Sequence, residues 1–268
     1  MSELYSNSEK DMILQSLKVA IARVPWIKFA YKRYQEILTE FLIRRSSDHV
    51  FVVSELNSSP NSLDRLGLMH GTDKVSPLFG SVGVAWPPHG YTRFYNLVFR
   101  NMTNQTLVVL ECGIGSTSSE ISSNMGPQGI PGASLRMWRD YFLEAHVIGG
   151  DIDRNILFCD ERIRSFHLNQ TDPDSINGFL GEIGDVQLDI IIDDGLHTFD
   201  AGRFLFEHMW HKLSLGGLYF IEDVEQKYLR QYICYFARSG LSASIVRFSA
   251  RQSWFDNNCL IMIEKISS

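Results

Sequence analysis

The chain has 268 residues, 44% hydrophobic and 12% aromatic, enough for one large α/β domain with an appendage or for two modest domains. Lys and Arg number 25 against 31 Asp and Glu, and the net charge of −6 argues against nucleic acid as a partner. The four cysteines (Cys112, Cys159, Cys234, Cys259) form no CxxC pair, which argues against a disulfide frame and against a structural zinc site.

The opening "MSELYSNSEK" lacks a cationic start followed by an apolar stretch, and no apolar run approaches the roughly 18 residues of a membrane span. A cytoplasmic protein is expected. Residues 8–46 read as two amphipathic helices, apolar at three- and four-residue steps (Ile13, Leu17, Ala20, Ile21; then Phe29, Tyr34, Ile37, Phe41), with Pro25 between them. Their apolar faces predict packing in a homo-oligomer. Their basic residues are read as a solvated face, with peripheral contact to an anionic membrane as the sharper alternative. From 55 to 92 the clusters "NSSPNS", "GTDKVSP" and "WPPHGYT" read as loop, and the His and aromatic residues there (His70, Trp86, His89, Tyr91) point to function rather than disorder. A helix, "RFYNLVFRNM", follows.

Beyond residue 106 strand-like runs alternate with helix-like ones. The strands are "LVVLECG" (107–113), "AHVIGGDID" (145–153), "IRSFHLN" (163–169), "LDIIIDDG" (188–195) and "GLYFIEDV" (217–224). Helices are expected at 134–143, briefly near 154–162, at 174–183 and at 200–213. The last runs, "ASIVRFSA" and "CLIMIEKI", read as a hairpin. Such alternation implies βαβ crossovers, so the expected fold is a doubly wound α/β sheet with a C-terminal antiparallel hairpin and an N-terminal helical extension. The expected division is a helical arm (1–54), a covering segment (55–106) and a nucleotide-binding type of domain (107–268).

Ligands of open parallel sheets bind at carboxyl strand ends near the point where strand order reverses. The first strand ends "ECGIGS", with Glu111 ahead of Gly113 and Gly115. The second ends "GGDID", where Asp151 is placed to hold ribose hydroxyls; the third runs into "NQTD". The fourth and fifth end in acids: "IIDDGLH" with Asp193, Asp194 and His197, and "FIEDVE" with Glu222 and Asp223.

The order of "VVLECGIGS", "VIGGDID", "IIDDGLH" and "LSLGGLYFIEDV" resembles the class I methyltransferases that use S-adenosylmethionine. Within them it is most similar to the metal-dependent sugar O-methyltransferases of macrolide and polysaccharide biosynthesis. "HGTDKVSP" and "HGYTRFY" resemble that group's covering segment, and the likeness spans about residues 65–224. It implies a divalent metal, magnesium by preference, on Asp194, Glu222 and Asp223, and His197 as general base. It further implies S-adenosylmethionine contacts at Glu111, Gly113, Asp151, Gln170, Lys74 and Tyr91. Two features depart from the group: the glycine loop is not a full GxGxG, and Leu196 stands where a small polar residue is usual.

The residues themselves agree. The class I sheet order that the resemblance implies sets the fourth and fifth strands side by side, about 4.8 Å apart, so the acids ending them converge, and their repulsion calls for a cation. Hard oxygen ligands without thiolate favour magnesium over zinc. Helix capping remains open as the role of Asp200 and of Asp193, but it does not account for Glu222 and Asp223, after which no clear helix follows at once. A metal-bound hydroxyl has a lowered pKa, and His197 has the chemistry to remove its proton. His146, His167, His208 and His211 read as structural or solvent-facing. The expected activity is methyl transfer to a sugar hydroxyl of a small-molecule or glycan acceptor. The alternatives are a catechol or phosphorus-linked hydroxyl as acceptor, and a non-catalytic Rossmann-fold binding protein.

Overall fold

In the computed structural model the described residues are 50–54, 59–80, 82–84, 86–249 and 259–266. The chain divides into two compact units, Met1–Arg45 and Ser46–Ser268, and every described residue belongs to the second. The amphipathic helices read over 8–46, with the assembly and membrane roles expected of them, lie outside the described residues. Among those residues, no helix is long and apolar enough to cross a membrane.

The described strands are β1 (Val50–Ser54), β2 (Val108–Cys112), β3 (His146–Asp151), β4 (Cys159–Asp160), β5 (Ile163–His167), β6 (Leu188–Asp193), β7 (Leu213–Ile221), β8 (Ala243–Ser249) and β9 (Cys259–Glu264). They form one sheet in the order β1-β8-β9-β7-β6-β2-β3-β5-β4. Its centre, from β5 through β3, β2 and β6 to β7, is parallel. β9 runs antiparallel to both neighbours, so the expected hairpin is present with its second strand inserted between β7 and β8. The central strands are nearly continuous apolar runs because helices cover both faces; Ile190, Ile191 and Ile192 of β6 are fully buried.

The described α-helices are α1 (Ser62–His70), α2 (Tyr91–Phe99), α3 (Ala133–Tyr141), α4 (Pro173–Ile183), α5 (Phe199–Met209) and α6 (Gln226–Arg238). An aromatic cluster fixes α2 and α3 to the sheet. Tyr95 meets Trp138 edge-on at 5.2 Å and Phe220 of β7 at 5.1 Å, and stacks on Phe99 at 5.5 Å.

Several expectations need correction. Residues 50–54, inside the span read as helical arm, form β1 and pair with β8. α1 lies in the stretch read as loop; Asn61 and Asp64 close a reciprocal capping box that starts it. The helix expected near 154–162 is a 3₁₀ turn, Arg154–Ile156, followed by the two-residue β4. The expectation that no helix follows Glu222 and Asp223 at once does agree with the structure: α6 starts after Glu225, and no side chain caps it. α5 is capped by the Thr198 hydroxyl, so neither Asp193 nor Asp200 serves as its cap.

Candidate active site

From β2 the chain continues to β3 and β5 on one side, then returns through β6 and β7 on the other. A cleft of about 650 Å³ opens at this reversal, a volume suited to a small-molecule ligand. The register sets Asp193 beside Ile221, so the next residues, Asp194 and Glu222, leave neighbouring strand ends together. The Glu222 amide donates to Asp193 O at 2.9 Å and the Asp194 amide to Cys112 O at 2.8 Å, fastening both turns to the sheet.

Four acids gather here, three of them around one cation. Lys74, 2% exposed, donates to Asp194 Oδ2 at 2.7 Å and to Glu222 Oε2, with Glu111 Oε1 at 3.4 Å. Burial alone would lower the lysine pKa, but Asp194, Glu222 and Glu111 outweigh it and hold the ammonium well above its usual range. Aromatic donors supply the remaining contacts. Trp138 Nε1 donates to Glu111 Oε2 at 2.6 Å, Tyr95 to Glu222 Oε1, and Tyr91 to Asp223 Oδ1. His89 Nδ1 lies 3.4 Å and His197 Nε2 3.9 Å from the Asp223 carboxylate. Burial would raise the Asp223 pKa; His89, His197, the Tyr91 hydrogen bond and Lys74 together hold it below the usual range. Asp194 is pushed up to about 7 by burial, against the pull of Lys74. Three carboxylates sharing one ammonium leave the cluster short of positive charge.

One ligand atom each from Asp194, His197 and Asp223 lies within 4.8 Å of the others. Hard carboxylate oxygens in a charge-deficient cluster fit a divalent cation. Glu222 adjoins them with both oxygens engaged, by Lys74 and Tyr95.

Of the residues given a cofactor, metal or catalytic role in the sequence, Lys74, Gly113, Asp151, Gln170, Asp194, His197 and Asp223 line the cleft. Glu111, Tyr91 and Glu222 stand behind it, 0%, 1% and 1% exposed. Gly113 is required for a protein contact. With φ 87°, an added Cβ would lie 2.1 Å from the Asp194 carbonyl oxygen. Asp151 accepts the amides of Ile114 and Asp153, both at 2.8 Å. Gln170 ties the end of β5 to the loop after β6, accepting the Leu196 amide at 2.6 Å and donating to Asp193 Oδ1 at 3.1 Å. His146, His167, His208 and His211 are not among the residues lining the cleft. The sequence assigns no site role to Tyr95 or Trp138. Tyr95 carried a signal, its four-residue spacing from Tyr91; Trp138 carried none.

No family model matches the sequence. Among solved structures, the MycE methyltransferase from the mycinamycin biosynthetic pathway, in complex with Mg and SAH, superposes with a TM-score of 0.53 at 25% identity, over 78% of this chain and 55% of that one. This chain has the class I methyltransferase fold. Among curated proteins this methyltransferase-fold chain is 31% identical over 163 residues to 8-demethyl-8-alpha-L-rhamnosyl tetracenomycin-C 2'-O-methyltransferase of Streptomyces olivaceus, covering 61% of this chain and 38% of that protein. It is 33% identical over 184 residues to L-olivosyl-oleandolide 3-O-methyltransferase of Streptomyces antibioticus, covering 69% of this chain and 42% of that protein. The chain thus spans about two fifths of the length of these relatives.

Proposed function

We propose that the chain moves the methyl group of S-adenosylmethionine onto a hydroxyl of a sugar in a glycoside, polysaccharide or other natural product, with magnesium at the acidic cluster. The observation that carries this reading is the convergence of Asp194, His197 and Asp223, within 4.8 Å of one another, at the carboxyl ends of β6 and β7. The sugar hydroxyls named in the relatives' activities, and the Mg and SAH bound to MycE, support it.

Asp194, Glu222 and Asp223 would hold the metal, Glu222 being the most restrained by its contacts with Lys74 and Tyr95. A bound magnesium ion supplies Lewis acidity that orients the acceptor hydroxyl and lowers its pKa. The turn at Gly113, with Asp151 and Gln170, lines the part of the cleft that would receive S-adenosylmethionine, while Glu111 and Tyr91 act from behind it. His197 removes the hydroxyl proton, and Asp223, 3.9 Å from its Nε2, stabilises the imidazolium that results. Lys74 keeps three of the acids in place by neutralising part of their repulsion.

The test is incubation with S-adenosylmethionine, magnesium and a panel of glycosides and catechols, with mass spectrometry for the gain of one methyl group. Transfer to a glycoside that stops in excess chelator is expected. Transfer confined to catechols, or undiminished by chelator, would overturn the reading.

A further inference from the structure

Helix α2 carries two phenols one turn apart, and each donates to one member of the consecutive acid pair that follows β7. Tyr91 bonds Asp223 Oδ1, and Tyr95 bonds Glu222 Oε1. Residues four apart share a helix face, whereas successive residues of an extended strand point to opposite sides. Glu222 and Asp223 can therefore meet one helix face only where the chain leaves extended geometry, as it does at Asp223, φ 51°. Both phenols are buried behind the cleft. Their rings are fixed by the core: Tyr95 against Trp138 and Phe220, Tyr91 edge-on to Phe248 at 4.8 Å and stacked on His89 at 5.1 Å.

We infer that Tyr91 and Tyr95 are positioning residues for the divalent-metal site, each holding one oxygen of its acid and thereby aiming the other. Tyr91 takes Oδ1 of Asp223, and the other oxygen, Oδ2, faces His197. Tyr95 takes Oε1 of Glu222, and Oε2 meets Lys74 beside Asp194. A phenol suits this task because it donates a hydrogen bond without placing a competing positive charge beside the acid. The backbone supports the arrangement, with the Thr92 amide at the start of α2 donating to Lys74 O at 2.9 Å. The metal ligands would then be aimed by two residues that themselves reach neither cofactor nor acceptor.

This inference rests on the metal reading above, and Mn²⁺ alone separates the two. Binding of Mn²⁺ to the full chain is followed by electron paramagnetic resonance without cofactor or acceptor, in the parent, Tyr91→Phe and Tyr95→Phe. The parent should bind, and each variant should bind about 10–100-fold more weakly, the usual cost of losing a partner that orients a ligand. Thermal midpoints without Mn²⁺ establish that the variants fold. A parent that does not bind Mn²⁺ overturns the metal reading and this inference with it. A parent that binds, with unchanged affinity in both variants, overturns this inference alone and leaves the phenols as packing. Should the phenylalanine variants not fold, fluorotyrosine at position 91 keeps the packing and alters the donor; unchanged Mn²⁺ affinity there overturns the inference too.

Discussion

His197 and Asp223 are both held in left-handed backbone conformations, at φ 57° and 51°. A residue with a Cβ adopts that region at a cost of roughly 1–2 kcal/mol, and such strain tends to gather where side-chain aim matters more than stability. Here it turns His197 and Asp223 toward each other across the cleft. The prediction at this scale separates the two costs. His197→Ala and His197→Gly should both lose on the order of 10²–10⁴-fold in turnover, the value of a positioned base, while still binding Mg²⁺ in titration calorimetry. The glycine variant should be more stable than the alanine variant by about 1 kcal/mol in urea unfolding, because it alone escapes the left-handed penalty. Normal turnover at saturating Mg²⁺ with weakened metal binding would make His197 a ligand instead. The acids and the histidine were legible because each stands at the end of an apolar run. The reason for Gly113 was not, because its steric partner, the Asp194 carbonyl, is brought in by the pairing of β2 with β6.

Among the elements, the two missed helices failed to register for different reasons. α1 contains Gly67 and ends at Gly71, and its flanks are rich in Ser, Asn and Pro, so its composition is that of a loop. Gly67 is there because Val75 packs against it; an added Cβ would lie 2.4 Å from Val75 Cγ1. α6 did carry the helical signal, with Leu229, Tyr232, Ile233 and Phe236 buried at three- and four-residue steps. Three acids just before it, Glu222, Asp223 and Glu225, have the look of a strand end rather than of the approach to a helix. α1 matters to the site through one buried acid. Asp64 accepts the Thr92 hydroxyl of α2 while closing the box with Asn61. Asn61→Ala should therefore cost about 1 kcal/mol, the usual value of an N-cap, seen as a lower urea midpoint at unchanged m-value. An unaltered midpoint would mean that the box does not hold α1.

At the scale of the whole molecule, the apolar core and the acidic cluster share Tyr95 and Trp138, but the sheet does not depend on a cation between the acids. The sheet is held by buried aliphatic and aromatic side chains, whereas the acids sit at its carboxyl rim. Chelation should thus abolish methyl transfer and leave far-ultraviolet circular dichroism unchanged. Added Mg²⁺ should raise the thermal midpoint by mass action, with about 2.7 kcal/mol of stabilisation at one hundred times its dissociation constant. A midpoint indifferent to Mg²⁺ in scanning calorimetry would count against a specific site.

The sequence by itself determined the alternation of strands and helices, the class of sheet and the acids at its strand ends. Those are local matters, set by residue spacing and by the residue types that close an apolar run. Only the tertiary structure decided that β9 enters between β7 and β8, and that Lys74 sits among Glu111, Asp194 and Glu222. It alone brought Tyr91 and Tyr95 to acids 132 and 127 residues away. The physical reason is one of range. Periodicity reports which side of its own element a residue faces, whereas a buried charge takes its partners from whatever the rest of the chain packs against it.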